Sequence, residues 1–126
     1  MEPRESSEDY LEAILRVKEK QNYVRSVDVA KLMNVSKPSV TYATKKLRES
    51  GYITTDDNGM ILFTEAGEKL AEDTWIRHQT LAKLFMSLGV KEKQALTDAC
   101  KVEHDLSEET FKAIQKFVDK KAKAKK

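Results

Sequence analysis

The chain has 126 residues, of which 35% are charged, and a formal net charge of +2, so charge balance alone does not indicate nucleic-acid binding. This length suits one compact unit or two small subdomains. The N-terminus has no apolar segment and no stretch approaches about 18 apolar residues, so we expect no signal peptide, no membrane span and a cytoplasmic location. Cys100 is the single cysteine, which leaves its thiol available for a metal, for oxidation or for burial.

The first predicted helix carries two acidic residues on one face. It runs from about Glu8 to Glu19 with Ser6 or Ser7 as its N-cap, because these hydroxyls precede a helical repeat of apolar positions. That repeat consists of Tyr10, Leu11, Ile14, Leu15 and Val17. Asp9 and Glu12 are three residues apart and therefore project from neighbouring positions.

A helix-turn-helix is predicted next. Ser26 is expected to cap a short second helix, which ends at Asn34 and Val35. The third helix begins at Ser36 and ends at Gly51, since glycine is the residue most favoured just beyond a helix C-terminus. A short helix, a tight turn and a longer helix together form the helix-turn-helix plan.

The segment after the third helix predicts a wing. Residues 52–55 and 60–64 are β-prone, and Asn58-Gly59 between them is a strong signal for a tight hairpin. A hairpin that follows a helix-turn-helix is a wing. Residues 1–64 are therefore predicted to form a winged helix-turn-helix DNA-binding domain.

The third helix has side chains suited to the major groove of double-stranded DNA. Val40, Ala43 and Leu47 follow a helical repeat and are expected to pack inward. On the other side, lysines can hold phosphates while short hydroxyls and a tyrosine meet base edges. The predicted DNA-binding residues are Ser36, Lys37, Pro38, Ser39, Thr41, Tyr42, Lys45 and Lys46.

The remaining predicted elements are helices. Thr64 caps a long helix that runs to about Leu88 and is closed by Gly89. A second helix spans roughly 92–103 or 92–104, and a third begins near Ser107. Past residue 118 the sequence is rich in lysine, so we expect this end to fray.

Three side chains near the end of the 92–104 helix indicate a metal site. At about 100° per residue, Cys100, Glu103 and His104 lie within an arc of about 100°, so one divalent transition metal could touch all three. Two alternatives remain open. Cys100 could serve a winged-helix regulator as a redox or ligand sensor, or the cluster could activate a metal-bound water. No nucleophile-base pair or substrate-pocket signature accompanies it, so we predict neither an enzyme nor a small-molecule substrate.

Taken together, these motifs resemble the diphtheria toxin repressor family of metal-dependent transcriptional repressors, and within it the short manganese transport regulator branch. The residues that carry the resemblance are Glu-Asp-Tyr-Leu-Glu-Ala-Ile at 8–14, Ser-Lys-Pro-Ser-Val-Thr at 36–41, Arg77-His78, and Cys-Lys-Val-Glu-His at 100–104. It implies a repressor that senses Mn(II) or Fe(II), controls metal-uptake genes and binds a palindromic operator as a homodimer. We expect no SH3-like domain of the kind that longer members carry.

The resemblance also implies a set of metal ligands. Positions that match the manganese branch are Asp9, Glu12, His78, Glu103 and His104. Cys100 departs from that branch, which usually has glutamate there, and agrees with the iron-responsive branch. Asp9 agrees with the manganese branch, because the iron branch tends to have methionine. Two ancillary ligands of the iron branch fall on Ala82 and Leu96, neither of which can bind a metal.

We expect one principal metal site and one subsidiary role for the other ligands. The principal site comprises Asp9, Cys100, Glu103 and His104, while Glu12 and His78 complete a second site or orient the first. Carboxylates favour Mn(II) or Fe(II), whereas imidazoles and the thiol raise the affinity for Co(II), Ni(II) and Zn(II). Apolar residues of the later helices are expected to form the homodimer interface or the core: Leu84, Phe85, Leu88, Phe111 and Ile114.

The predicted architecture is therefore mainly α with two domains. The winged helix-turn-helix occupies residues 1–64, and an all-helical metal-binding and dimerisation domain occupies residues 65–119. A lysine-rich tail occupies residues 120–126.

Overall fold

A computed structural model describes residues 3–124 and confirms the mainly α fold with a two-stranded wing. The elements of this range are α1 (Pro3–Gln21), α2 (Ser26–Met33), α3 (Lys37–Glu49), β1 (Ile53–Thr55), β2 (Ile61–Phe63), α4 (Glu65–Ser87), α5 (Glu92–Val102) and α6 (Glu108–Ala124). The chain forms two compact units, with the boundary inside α4 between Asp73 and Thr74. The predicted domain limits at residues 64 and 119 stay predictions. Within the described range, no helix is both long and apolar enough to span a membrane.

The core of the first unit is formed by α1, α2 and α3, which contact one another. Leu11 and Ile14 of α1 are fully buried, as are Val29, Val40 and Leu47. The predicted inward positions of α3 are thus confirmed at Val40 and Leu47. Apolar side chains at helical spacing meet across the three helices, and burial of each such side chain stabilises the fold by roughly 1.5–3 kcal/mol.

The N-terminal boundary of α1 differs from the prediction. The helix begins at Pro3, so Ser6 and Ser7 lie inside it and are not N-caps. Proline is favoured in the first turn of a helix, because the backbone N–H that it lacks would have no intrahelical acceptor there. The helix ends close to the predicted position, and Asn22 beyond it has a left-handed backbone with φ 67°.

The start of α2 also differs from the prediction. Ser26 is the first residue of the helix, and the N-cap is Arg25, whose backbone is extended. The Asp28 carboxylate accepts a hydrogen bond of 3.0 Å from the Arg25 backbone N–H, so an acid within the first turn replaces the expected serine cap. The predicted end at Asn34 is confirmed, since this residue adopts a left-handed conformation with φ 56°.

The predicted limits of α3 are confirmed. Ser36 is the N-cap, and its hydroxyl accepts a hydrogen bond of 3.3 Å from the Ser39 backbone N–H. Pro38 lies in the first turn. Gly51 follows the helix with φ 84°, a left-handed conformation that favours glycine.

The wing is a short antiparallel hairpin in which Ile53 lies opposite Phe63. At its tip, Asp56 Oδ1 accepts hydrogen bonds from the backbone N–H groups of Asn58 (2.8 Å) and Met60 (2.9 Å). On the other edge of β2, the Ile61 backbone N–H donates a hydrogen bond of 2.8 Å to the Val24 carbonyl. The connector before α2 therefore supports the wing.

The second unit contains the later part of α4 together with α5 and α6. Leu81 and Ala82 of α4 are buried with Ala99 of α5. Half-buried residues that pack against this cluster are Phe85, Val102, Leu106 and Ile114. Contrary to the expected fraying after residue 118, α6 continues to Ala124, because lysine and alanine have high helix propensity. The last two residues of the predicted tail lie outside the described range.

Candidate metal centre and DNA interface

The Glu103 carboxylate lies between two imidazoles in the second unit. Glu103 is the C-cap residue of α5, and its side chain is completely buried. Its Oε2 atom is 3.5 Å from His78 Nδ1, and its Oε1 atom is 3.4 Å from His104 Nε2. The structure therefore brings together three of the predicted metal ligands, one from α4 and two from the turn after α5.

Both Glu103 carboxylate oxygens are buried without a hydrogen bond from any described residue. The two imidazole contacts are longer than the roughly 2.7–3.2 Å of a usual N–H···O bond. An ionised carboxylate in such surroundings is costly unless a cation neutralises it. One carboxylate and two imidazoles are a donor set that suits a divalent transition metal, so these residues fit such an ion.

Cys100 differs from these residues in its environment. It lies on α5 and is exposed, whereas Glu103 is fully buried. The helix ends at Val102, and Glu103 is its C-cap, with a helical hydrogen bond of 3.0 Å from its backbone N–H to the Ala99 carbonyl. Glu103 therefore stays on the predicted helical face, while His104 lies in the turn that follows. The Glu103 backbone keeps near-helical angles, with φ −56° and ψ −30°. The role of Cys100 as a ligand stays a prediction.

Asp9 and Glu12 lie on α1 in the first unit. The Glu12 side chain is buried and Asp9 is half-buried. Glutamate is almost never fully buried unless it is paired. On the same helix, burial raises the pKa of the Tyr10 phenol above its ordinary value.

Two residues of the second unit contact His78 and the turn after α5, and neither contact is apparent from the sequence. The Trp75 ring stacks on His78 with 5.5 Å between ring centroids and 12° between planes. Arg77 Nη1 donates hydrogen bonds to the carbonyl oxygens of Glu103 (2.9 Å) and Leu106 (3.1 Å). From the sequence, Arg77 is notable only as part of the Arg77-His78 motif. Its hydrogen-bond partners lie 26 and 29 residues away, and contacts at such separations leave no periodic pattern in the sequence.

The outer face of α3 has the exposure that a DNA-reading helix requires. All eight predicted DNA-binding residues are exposed. Tyr42 has 63% of its surface exposed, and Lys46 Nζ lies 4.9 Å from the centroid of its ring. The hydroxyls of Ser36 and Ser39 are 2.9 Å apart, so Ser36 is partly engaged in capping. The contacts of these residues with DNA stay a prediction.

Two family models match the chain, one in its N-terminal part and one in its C-terminal part. Residues 4–59 match the iron dependent repressor N-terminal DNA binding domain, and residues 64–124 match the iron dependent repressor metal binding and dimerisation domain. These two matches together cover most of the chain.

Individual relatives give the same result. An uncharacterized HTH-type transcriptional regulator of Methanocaldococcus jannaschii is 38% identical over 119 residues, which cover 92% of this chain and 94% of that protein. The transcriptional regulator MntR of Escherichia coli is 36% identical, with coverage of 93% and 76%. The structure of the manganese regulator SloR superposes with a TM-score of 0.81 at 26% identity, covering 90% of this chain and 53% of SloR. The chain thus spans about half the length of SloR.

Proposed function

The chain belongs to the iron dependent repressor family, and on that premise we propose that it is a transcriptional repressor that senses Mn(II) or Fe(II) and controls genes for metal uptake. The observation that carries this proposal is the buried Glu103 carboxylate between His78 and His104. An exposed basic helix alone would support only DNA binding. A buried donor set adds a reason for that binding to depend on a metal.

We propose that the principal metal site comprises Asp9, Cys100, Glu103 and His104. Glu12 and His78 complete a second site or orient the ligands of the first. Support comes from Glu103, whose buried carboxylate oxygens accept no hydrogen bond from the described residues, since a buried carboxylate needs a compensating positive charge. When bound, the divalent ion supplies that charge and a fixed coordination geometry.

The proposed metal binds the DNA-competent conformation of the chain more tightly than other conformations. DNA affinity therefore rises with metal occupancy, and the coupling is reciprocal. In a homodimer, two copies of α3 would then meet successive major-groove segments of a roughly palindromic operator.

The exposed apolar residues of the second unit support a choice of interface residues. Of the five residues expected to form the homodimer interface or the core, Phe111 is buried, and Phe85 and Ile114 pack against the core. Leu88 is 69% exposed and Phe117 is 54% exposed. We therefore propose that Leu88 and Phe117 contribute to the interface, because burial of such large apolar surfaces favours association.

We propose binding, and not catalysis, as the activity of the chain, and the cytoplasm as its location. The matched families are a DNA binding domain and a metal binding and dimerisation domain. The comparisons give no support to the alternative in which Cys100 is a redox sensor.

The test is DNA binding by the full chain after removal of metals with a chelator. A promoter fragment is titrated with Mn(II), with Fe(II) under anaerobic conditions and with Zn(II). We expect Mn(II) or Fe(II) to raise DNA affinity in the parent and not in Glu103→Gln. Glu92→Gln, which alters an exposed acid in the first turn of α5, is the matched control and should respond like the parent. Equal DNA affinity with and without every ion would refute the proposal.

A further inference from the structure

We propose that Arg77 is a positioning residue for the metal centre: its guanidinium fixes the turn that carries Glu103 and His104. This inference rests on the proposed metal-sensing function and adds a residue that binds no metal itself. Arg77 immediately precedes His78 on α4. Two consecutive residues of one helix therefore contact the same turn, Arg77 at its backbone and His78 at the Glu103 carboxylate.

The two carbonyl contacts of Arg77 span the turn between α5 and α6. Its Nη1 atom donates to the Glu103 carbonyl at 2.9 Å and to the Leu106 carbonyl at 3.1 Å. These carbonyls belong to the first and last residues of the segment 103–106. The Asp105 backbone N–H in turn donates to the carbonyl of Val102, the last residue of α5, at 2.9 Å. The guanidinium thus joins the two ends of the segment that connects α5 to α6.

The other side of the guanidinium is held by α6. Arg77 Nη2 is 3.5 Å from Glu108 Oε2, and the guanidinium carbon is 4.9 Å from the centroid of the buried Phe111 ring. The Glu108 side chain is 71% exposed, and an ion pair with such a partner contributes little. The Phe111 ring is buried, so its contact with the guanidinium is less screened by solvent than the ion pair with Glu108.

The charge of Arg77 allows a positioning role to be distinguished from a purely electrostatic effect on metal affinity. A cation close to a divalent-metal site repels the metal, so removal of its charge alone would strengthen metal binding. If Arg77 instead positions Glu103 and His104, removal of its guanidinium weakens metal binding. The two effects have opposite signs.

The experiment compares Arg77→Gln, Arg77→Lys and Glu108→Gln with the parent, all as full chains. The affinity for Mn(II) is measured by titration followed by the electron paramagnetic resonance signal of the free ion. We expect both Arg77 variants to lose about 10-fold or more in affinity, the scale typical for residues that orient metal ligands. Arg77→Lys keeps the charge but loses the planar fork. Glu108→Gln keeps both carbonyl contacts and should stay within about 3-fold of the parent.

A second readout needs no metal. Amide hydrogen exchange in the chelator-stripped protein should be faster for residues 103–107 of Arg77→Lys than for those of the parent, while exchange in α1 is unchanged. Parent-like exchange and Mn(II) affinity in Arg77→Lys would overturn the inference, and so would tighter Mn(II) binding by Arg77→Gln. Failure of the parent itself to bind Mn(II), Fe(II) or Zn(II) would refute the proposed function instead, and the exchange rates would still test whether Arg77 fixes the turn.

Discussion

At the residue scale, one substitution can test whether the Glu103 charge stabilises the fold or binds a metal. If the two imidazoles held the carboxylate as a structural ion pair, Glu103→Gln would destabilise the metal-free protein by about 3–5 kcal/mol. The contacts of 3.4 and 3.5 Å do not form hydrogen bonds to the carboxylate, so we expect no loss of that size. The measurement is chemical denaturation of both metal-free proteins.

The same substitution should remove stabilisation by metal. A ligand at 100 times its dissociation constant stabilises the state that binds it by about 2.7 kcal/mol. We expect Mn(II) to raise the thermal midpoint of the parent and to leave that of Glu103→Gln unchanged. A metal-dependent rise of equal size in both proteins would show that Glu103 is not a ligand.

Arg77 and Glu103 also show what the sequence could not reveal about the site. The carboxylate and imidazole ligands are predicted from a family resemblance and from spacing, both of which are local patterns. The two carbonyls that bind Arg77 are backbone groups, and every residue has one. No residue type in the sequence therefore indicates this contact, which depends on the packing of α4 against the turn.

At the element scale, the junction between the wing and α4 rests on close backbone packing. Thr64 Oγ1 donates to the Gly51 carbonyl at 2.7 Å and accepts from the Gly67 backbone N–H at 3.1 Å. A Cβ atom at Gly67 would overlap the Tyr52 carbonyl oxygen. The N-terminus of α4 is thus held directly against the residue that precedes β1.

Gly67→Ala should consequently destabilise the protein. At an ordinary helix position the change from glycine to alanine stabilises by roughly 0.5–1 kcal/mol. Here overlap with the Tyr52 carbonyl requires the backbone to move, and overpacking of this kind costs about 1–3 kcal/mol. Denaturant unfolding of the variant and the parent gives the sign of the change in the free energy of unfolding. An increase in the free energy of unfolding would mean that this junction tolerates a side chain.

The elements predicted correctly from the sequence are those whose ends carry strong local signals. Asn34 and Gly51 adopt left-handed conformations, and Ser36 caps α3 through its own hydroxyl. The ends predicted wrongly had weaker signals: α1 starts before its serines, α2 uses Asp28 in place of Ser26, and α6 extends beyond residue 118. At those ends several residues can cap or continue a helix, so the sequence does not single out one terminal residue.

At the scale of the whole molecule, DNA affinity should depend on salt through the lysines of α3. DNA affinity falls as salt concentration rises. Each phosphate contact made by a lysine adds about 0.9 to the magnitude of the negative slope of log affinity against log salt concentration. Lys37, Lys45 and Lys46 are exposed on α3. We expect Lys45→Gln to reduce the magnitude of the slope by about 0.9 for each subunit that contacts DNA, for specific and unrelated DNA alike. Lys83→Gln, at an exposed position of α4 in the second unit, should leave the slope unchanged.

Metal and DNA affinity should also be linked reciprocally if the chain is a metal-dependent repressor. If Mn(II) raises the affinity of the chain for operator DNA by some factor, thermodynamic linkage requires that operator DNA raise the affinity for Mn(II) by the same factor. Such factors are typically about 5–150-fold. Both factors can be measured on the parent in one buffer, by Mn(II) titration with and without operator and by operator titration with and without Mn(II). Tyr42→Ala, which shortens an exposed side chain on α3, should weaken operator binding while Mn(II) affinity without DNA stays at the parent value. An operator that left Mn(II) affinity unchanged would mean that the metal stabilises the fold and does not control DNA binding.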